Sequence, residues 1–341
     1  MRVAIETQFA RGTATGLGVY SSALANALRA RGDVDVVELR DDGFDLWRFD
    51  RRAYWDQLRV RRLARAARAD VVHFTGGTLP WRPPHPCVLT LHDLTWLRAA
   101  NRGRAYVRWY FGSWQPRLAR AADALVVDTH AARADVAEGL GVSPESIHVA
   151  GAGVDERFFA LARSPAQPLF VLAVGTVEER KDLITAVRAV ARLDGIRLVC
   201  AGPLTPYADE VRREVARLNA GDRVELLGFV DDGRLLDLYA RAAALIFPSR
   251  YEGFGLPPLQ ALAAGLPVVA SDIPVLREVL DDAVAFCPPG DARAFSDALA
   301  DVLAAGRALA ERVERGRAWA RTFSWTKVAQ TMVAVYTGLL A

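Results

Sequence analysis

Short apolar runs alternate with amphipathic stretches along all 341 residues of the chain. That alternation restricts the fold more than any single motif does. A strand buried on both faces reads as a continuous apolar run, and a helix that packs on it reads with a 3.6-residue period. Strand and helix in alternation give a parallel sheet with its connections on the two faces. The runs at 3–5, 34–39, 71–74, 88–91, 124–127, 170–174, 197–201, 224–227, 244–247 and 267–270 are the expected strands. Helices are expected up to about residue 30, over 58–69 and 291–304, and from Trp325 towards the C-terminus. The polar and aromatic stretch 41–56 reads as an irregular, variable loop. At this length the chain exceeds one ordinary core, so two domains are expected. The proline-bearing stretch 161–168 is the expected linker, separating a domain over 1–164 from one over 169–322, with a final helix over 323–341.

Composition narrows the class. The chain is 52% hydrophobic and 24% charged, which fits a soluble globular protein. Cys87, Cys200 and Cys287 are scattered, without metal-ligand spacing, and suit a reducing compartment. The opening MRVAIETQFA lacks the apolar core of a signal peptide and reads as a first strand, and no apolar run is long enough to span a bilayer. A cytoplasmic protein is therefore expected. The net charge of +3 is unevenly spread. Eight Arg oppose three Asp over 48–70, and 98–120 holds six Arg and no acid, interleaved with Tyr106, Trp109, Tyr110, Phe111 and Trp114. Such a face can meet an anionic membrane or a lipid pyrophosphate, which would place the protein peripherally at the inner membrane face. The plainer reading is a helix with a packed aromatic side and a solvated arginine side. Nucleic acid is not expected, because no binding motif accompanies the charge.

The richest stretch is FPSRYEGFGLPPLQALAAGLPVVASD, residues 247–272. A strand leads into a loop with Ser249, Glu252, Gly253, Phe254 and Gly255, then a helix that opens at Leu256. Pro257 and Pro258 suit a helix's first turn, where a missing N–H costs nothing. Gly253 and Gly255 let backbone approach a ligand closely. The free N–H groups of the helix start suit phosphate, yet Glu252 would repel a bare one. A ligand with a phosphate at one end and hydroxyls at the other resolves the conflict, and a nucleotide-activated sugar is such a ligand.

Glu-Gly-Phe-Gly-Leu-Pro, with a polar residue eight positions after the Glu and then Ala-Gly-x-Pro-Val-Val-Ala-Ser, resembles the retaining GT-B glycosyltransferases of family 4. The resemblance implies a GT-B fold, two Rossmann-like doubly wound α/β domains facing across a cleft. It implies that Glu252 lies by the donor hexose. The residue that would hold the ribose hydroxyls is Gln260 where the family has Glu, which removes a charge-assisted bond worth roughly 1 kcal/mol. Further matches are spread along the chain. Gly16-x-Gly18-x-Tyr20 resembles the family's first loop near donor and acceptor, although a Gly-x-Gly alone is a common turn.

Thr-Leu-His92-Asp93 follows a strand end, where side chains reach the ligand crevice of an open α/β sheet. The resemblance gives His92 a donor-hexose contact, and Asp93 could orient it or receive the acceptor. Asp128 and His130 follow the next strand. His130 reads first as a helix-start residue and second as an acceptor contact. Gly175-Thr-Val-Glu-Glu-Arg180-Lys181-Asp182 resembles the family's Gly-x-x-Glu-x-Arg-Lys-Asn signature. Arg180 and Lys181 can neutralise a departing diphosphate. The plainer alternative is a solvated basic pair with Asp182 as helix N-cap. Gly228-Phe229-Val230 matches the loop that places the nucleotide base.

The expected reaction is hexose transfer from a nucleoside diphosphate sugar with retention, GDP-mannose being the first choice of donor and a glycan, lipid-linked or small molecule the acceptor. No Asp-x-Asp metal site is identifiable, and the cationic pair removes the need for a metal or other cofactor. Two other readings stand beside it: a nucleotide-sugar-binding partner without activity, suggested by Gln260, and a GT-B sugar-nucleotide epimerase.

Overall fold

The protein is described from a computed structural model covering residues 1–10, 16–44, 46, 49–95, 97, 105–304 and 306–341. It divides into two compact units, Met1–Gly153 with Trp325–Ala341, and Val154–Ser324. Each is built on a six-stranded parallel sheet.

The first sheet contains β1 (Arg2–Glu6), β2 (Asp35–Leu39), β3 (Val71–Phe74), β4 (Cys87–Thr90), β5 (Ala124–Val127) and β6 (Ile147–Val149), in the order β2-β1-β3-β4-β5-β6. The second contains β7 (Phe170–Val174), β8 (Arg197–Ala201), β9 (Val224–Gly228), β10 (Ala244–Phe247), β11 (Val268–Ser271) and β12 (Ala285–Cys287), in the order β12-β11-β10-β7-β8-β9. All strand pairings between them are parallel. The central strands β3, β4, β5, β10 and β11 are buried along their whole lengths, which is why they appear in the sequence as unbroken apolar runs. The expected strand positions hold, with Pro267 just outside β11. Pro267 has no N–H to give, but its carbonyl accepts from Leu245. The edge strands β6 and β12 were not expected. Each is three residues long and only partly buried, too short to leave a periodic signal.

The stretch 41–56 departs from its expected loop. Helix Phe49–Tyr54 runs into a π-helical turn, Trp55–Arg59, and on into helix Val60–Ala67. The reason is polar and therefore absent from hydropathy. Trp55 is fully buried and its Nε1 donates to Glu6 at 2.6 Å. Asp56, also buried, is paired with Arg52 at 2.8 Å and accepts from the Tyr110 hydroxyl at 2.9 Å. Residues 45, 47 and 48 of that stretch lie outside the described residues.

The C-terminal helix Trp325–Gly338 belongs to the first unit and packs on helix Gly16–Arg31. Tyr336 reaches the buried His73 at 2.7 Å, and the other ring nitrogen of His73 meets Thr90 at 2.7 Å. Burial holds that imidazole down at about 3, so it stays neutral at any ordinary pH.

In the second unit the loops after β7 and β8 meet at two glycines. Gly202 has φ +151°, and a Cβ there would lie 2.1 Å from the carbonyl oxygen of Gly175. Gly202→Ala should therefore displace the loop that carries Arg180 and Lys181 and lower stability by about 2 kcal/mol. Denaturant unfolding measures this, and an unchanged midpoint would show that the loops do not need the contact.

Candidate functional site

In an open α/β sheet the strand order reverses at one place, and the loops on either side part there to leave a crevice beyond the strands' C-terminal ends. In the second unit that place lies between β7 and β10. The loop after β7 carries Gly175, Arg180 and Lys181, and the loop after β10 carries Ser249, Glu252 and Gly255. A recess here is lined by Val174, Gly175, Thr176, Lys181, Phe247 and Ser249.

The two loops are joined by charge. Lys181 Nζ donates to Glu252 Oε1 at 2.6 Å, and Arg180 Nη1 donates to Glu252 Oε2 at 3.0 Å. Arg180 also donates to the Tyr251 carbonyl at 3.0 Å and lies 2.8 Å from Glu178. Glu252 is 6% exposed. Burial pushes its carboxyl pKa up, but Lys181 and Arg180 outweigh burial and the net direction is down, with help from the Ser249 hydroxyl. The carboxylate is therefore ionised. Burial draws the Lys181 ammonium down, Glu252 opposes that and Arg180 adds to it, leaving a net lowering. Lys181 also lies 4.9 Å from the Phe247 ring centre. Gly175 admits the lysine stem, since a Cβ there would lie 3.4 Å from Lys181 Cε.

Asp182 stands at the N-cap position of the helix that follows, as the plainer alternative had it, but its side chain does not cap the helix. It has left-handed backbone, φ 46° and ψ 46°, and no helix N–H reaches its side chain. Its carboxylate instead accepts from Arg250 Nε at 2.8 Å and from the Thr185 hydroxyl at 2.9 Å. Arg250 N donates to the Arg180 carbonyl at 2.8 Å. Asp and Asn are among the few side chains that tolerate this backbone. Asp182 thus bends the chain so that Arg180 and Lys181 turn towards the loop of Glu252.

Helix Leu256–Ala263 begins directly after that loop, with Pro257 and Pro258 in its first turn. Gly255 precedes it at φ 100°, where a Cβ would come within 2.7 Å of Leu276. Phe254 is buried, its ring edge-on to Phe323. The partly buried Gln260 lies one helical turn further on, and the Tyr239 hydroxyl donates to its Oε1 at 3.3 Å and to the Pro257 carbonyl at 3.1 Å. The amide oxygen accepts that one bond and keeps a second lone pair, so both it and the NH₂ can meet a ligand.

In the first unit, His92 follows β4 and Asp128 follows β5. His92 Nδ1 lies 2.6 Å from Asp128 Oδ2, while His92 Nε2 and Asp128 Oδ1 are buried without hydrogen-bond partners among the described residues. Burial pulls the imidazole pKa down, the Asp128 carboxylate outweighs it, and the net direction is up. Tyr20 packs edge-on to the ring at 4.4 Å. Asp128 thus fixes Nδ1 as the donor and leaves Nε2 as the working atom. The sequence placed Asp128 at a strand end but gave it no role.

Asp93 accepts from Thr95 N at 2.8 Å, a local turn, and His130 is the exposed first residue of helix His130–Leu140, which Thr129 caps. Gly16 and Gly18 are not in a loop, as expected, but are the first and third residues of helix Gly16–Arg31; residues 11–15 lie outside the described residues. Gly18 is small because Phe9 backbone crosses it: a Cβ would lie 2.2 Å from the Phe9 carbonyl oxygen.

Glu6, which the sequence reading passed over, ends β1 beside β3, where this sheet's order reverses. It accepts from Trp55 and from Gly76 N at 3.1 Å, and burial, with Asp56 adding to it, pushes the carboxyl up to about 7. An acid directly after an apolar run was the available signal. Away from these loops, His85, Cys87 and Asp123 bring three potential metal-ligand atoms within 4.8 Å of one another at the N-terminal ends of β4 and β5. There the Asp123 carboxylate accepts from Cys87 N at 2.7 Å, and burial pushes the Cys87 thiol up to about 12.

Comparison with known proteins gives two family matches. Residues 154–319 match the glycosyl transferases group 1, and residues 14–158 match glycosyltransferase family 4. The chain is 31% identical over 242 residues to the MMP alpha-(1->4)-mannosyltransferase of Mycolicibacterium hassiacum, a match covering 69% of this chain and 59% of that protein. It is 31% identical over 297 residues to the D-inositol 3-phosphate glycosyltransferase of Xylanimonas cellulosilytica, covering 78% of this chain and 71% of that one. Anabaena HepE, in complex with UDP-glucose, has the same fold at TM-score 0.75 and 17% identity, over 99% of this chain and 100% of that one.

Asp128→Asn should lower the His92 pKa, because the group that raises it is lost. An NMR titration of the five imidazoles tests this. A His92 resonance that titrates identically in both proteins would mean that the pair is not formed in solution.

Proposed function

The chain belongs to the group 1, family 4 glycosyltransferases, and on that premise we propose that it moves a hexose from a nucleoside diphosphate sugar to a hydroxyl acceptor with retention of configuration. The observation that carries this reading is the buried Glu252 carboxylate clamped by Arg180 and Lys181 at the crevice of the second sheet, beside a helix start. Without a ligand, Glu252 is the anion that those cations hold. A donor diphosphate offers them a stronger one and frees the carboxylate to accept from hexose hydroxyls. Phe229, 44% exposed after β9, is available as a face for the base.

The chemistry then follows from charge. As the C1–O bond to the diphosphate breaks, its electron pair goes to the phosphate oxygen, where Arg180, Lys181 and the helix start stabilise it. The acceptor oxygen bonds to C1 on the same face, and its proton passes to the departing phosphate oxygen. In this reading Glu252 holds sugar hydroxyls while positive charge develops on the ring, and His92, through Nε2, is the first unit's own candidate for a hydroxyl contact. Gly175, Ser249 and Gly253 to Leu256 line the donor's phosphate and sugar, and Asp93 and His130 are the weaker acceptor-side candidates. The two cations do the work that a metal would otherwise do, so none is required.

Mannose from GDP-mannose is the donor we favour, supported by the mannosyltransferase relative; UDP-glucose is the competing donor. The acceptor is a glycan, a lipid-linked sugar or a small molecule. Gln260 favours the second reading, a donor-binding protein without turnover.

Glu252→Ala should abolish transfer from GDP-mannose or UDP-glucose, which in the parent persists in EDTA, while nucleoside diphosphate binding stays equal or tightens because two cations are released. Product analysis and calorimetry read the two effects, and full activity in the variant, or dependence on added Mg²⁺ in the parent, would refute the mechanism. Parent protein that binds a donor but never turns it over would select the second reading. Gln260→Glu should tighten nucleotide binding about fivefold, roughly 1 kcal/mol. Identical affinities would remove residue 260 from the ribose.

A further inference from the structure

We propose that one face of the first unit docks on an anionic phospholipid bilayer. Among the described residues, nine large hydrophobic side chains are exposed, and five of them, Tyr54, Leu58, Trp81, Tyr106 and Trp109, come from three neighbouring segments. Those segments form one surface. The Phe49 ring packs on Tyr106 at 4.7 Å and on Tyr110 at 5.6 Å. Gln57 donates to the Tyr110 hydroxyl and the Leu79 carbonyl, and accepts from Trp81 N at 2.8 Å. Trp109 is 56% exposed and Trp81 52%, and Trp109 stacks on the partly buried Trp114, which holds it in place. Ring systems with a polar edge, presented outward on a rigid base, are what the interface between headgroups and acyl chains accommodates.

Charge selects the occupant. In the second unit, exposed arginine is commonly neutralised by a carboxylate a turn away, as in Arg212–Asp209, Arg234–Asp237, Arg293–Asp297 and Arg307–Glu311. Arg62 and Arg65 on helix Val60–Ala67, Arg82 beside Trp81, and Arg108 and Arg117 along 105–119 are exposed and form no salt bridge among the described residues. The sequence places no Asp or Glu between residues 94 and 122. A second copy of this chain would bring like charges together, which disfavours a dimer through this face. Guanidinium groups spread around exposed rings match a plane of phosphates, each able to form paired hydrogen bonds with a phosphate group. Neither half suffices alone: a cation near an anionic surface contributes about 1 kcal/mol, and shallow rings add apolar area. No helix among the described residues is long and apolar enough to cross a membrane, so the contact proposed is peripheral.

The test uses the full chain and does not depend on the transferase reading, because its readout is vesicle binding. Flotation is measured with vesicles of phosphatidylcholine alone and with about one third phosphatidylglycerol, at low and high salt. The parent should float only with the anionic vesicles, be released by salt, and show a blue shift of tryptophan emission on binding. Arg62→Glu with Arg65→Glu should reduce partitioning at least about tenfold. Trp81→Ala with Trp109→Ala should weaken it and diminish the blue shift. All four side chains are outside the donor loops, and equal thermal midpoints and equal nucleotide binding would show that the variants are folded. The proposal fails if the parent ignores anionic vesicles at low salt, if neutral vesicles bind equally, or if both double variants float like the parent. It also fails if the substitutions alter only self-association by light scattering or only binding of an oligonucleotide.

Discussion

A carboxylate that is almost wholly removed from water would not remain ionised alone; Glu252 does so because two cations from another loop close on it. Breaking such an arrangement from one side is costly, since it strands charge in a poorly hydrated place. Much of the second unit's local design serves this contact. Asp182 takes a strained backbone to turn the Arg-Lys pair, Arg250 ties the two loops together, and Gly175 leaves room for the lysine stem. Balanced charge here is a standing offer to a better anion, which is the property a diphosphate site requires.

The first unit holds its charges by the same logic at the same ends of its strands. His92 with Asp128 follows β4 and β5, and Glu6 with Arg52 and Asp56 follows β1. Their environments push the groups in different directions. The Asp128 carboxylate raises the pKa of the His92 ring, favouring its charged form, whereas burial pushes the Glu6 carboxyl up to about 7, favouring its neutral form. The opposite strand ends carry the His85–Asp123 contact, far simpler in its chemistry.

The fold was legible because parallel strands buried on both sides leave short, mainly apolar runs, and such runs marked ten of the twelve strands, the part-buried β2 and β9 with an acid inside them. The other two, β6 and β12, are edge strands of three residues whose pairing is decided by neighbours. The loops after β7 and β10 were legible because glycine, proline and charge fall there at fixed offsets. What the sequence hid was polar burial. Helix Phe49–Tyr54 and its π-helical turn are held by a tryptophan on a carboxylate and by an ion pair, so a hydropathy pattern reads them as loop. Gly16 and Gly18 misled for a related reason: the need for a small residue came from Phe9 backbone crossing a helix, which from sequence resembles a flexible turn. At Asp182 the plainer alternative fails in part: the residue stands at the helix start, but its side chain makes no cap bond and its backbone bends the chain instead.

Arginine has almost displaced lysine from this chain, and only Lys181 and Lys327 remain. The former is enclosed by Glu252 and the Phe247 ring, while the latter is exposed on the last helix. Amine-directed reagents, whether dyes, biotin esters or activated resins, therefore meet one exposed lysine among the described residues, Lys327. Conjugation would tether the molecule at a known address and leave the loop of Lys181 chemically untouched.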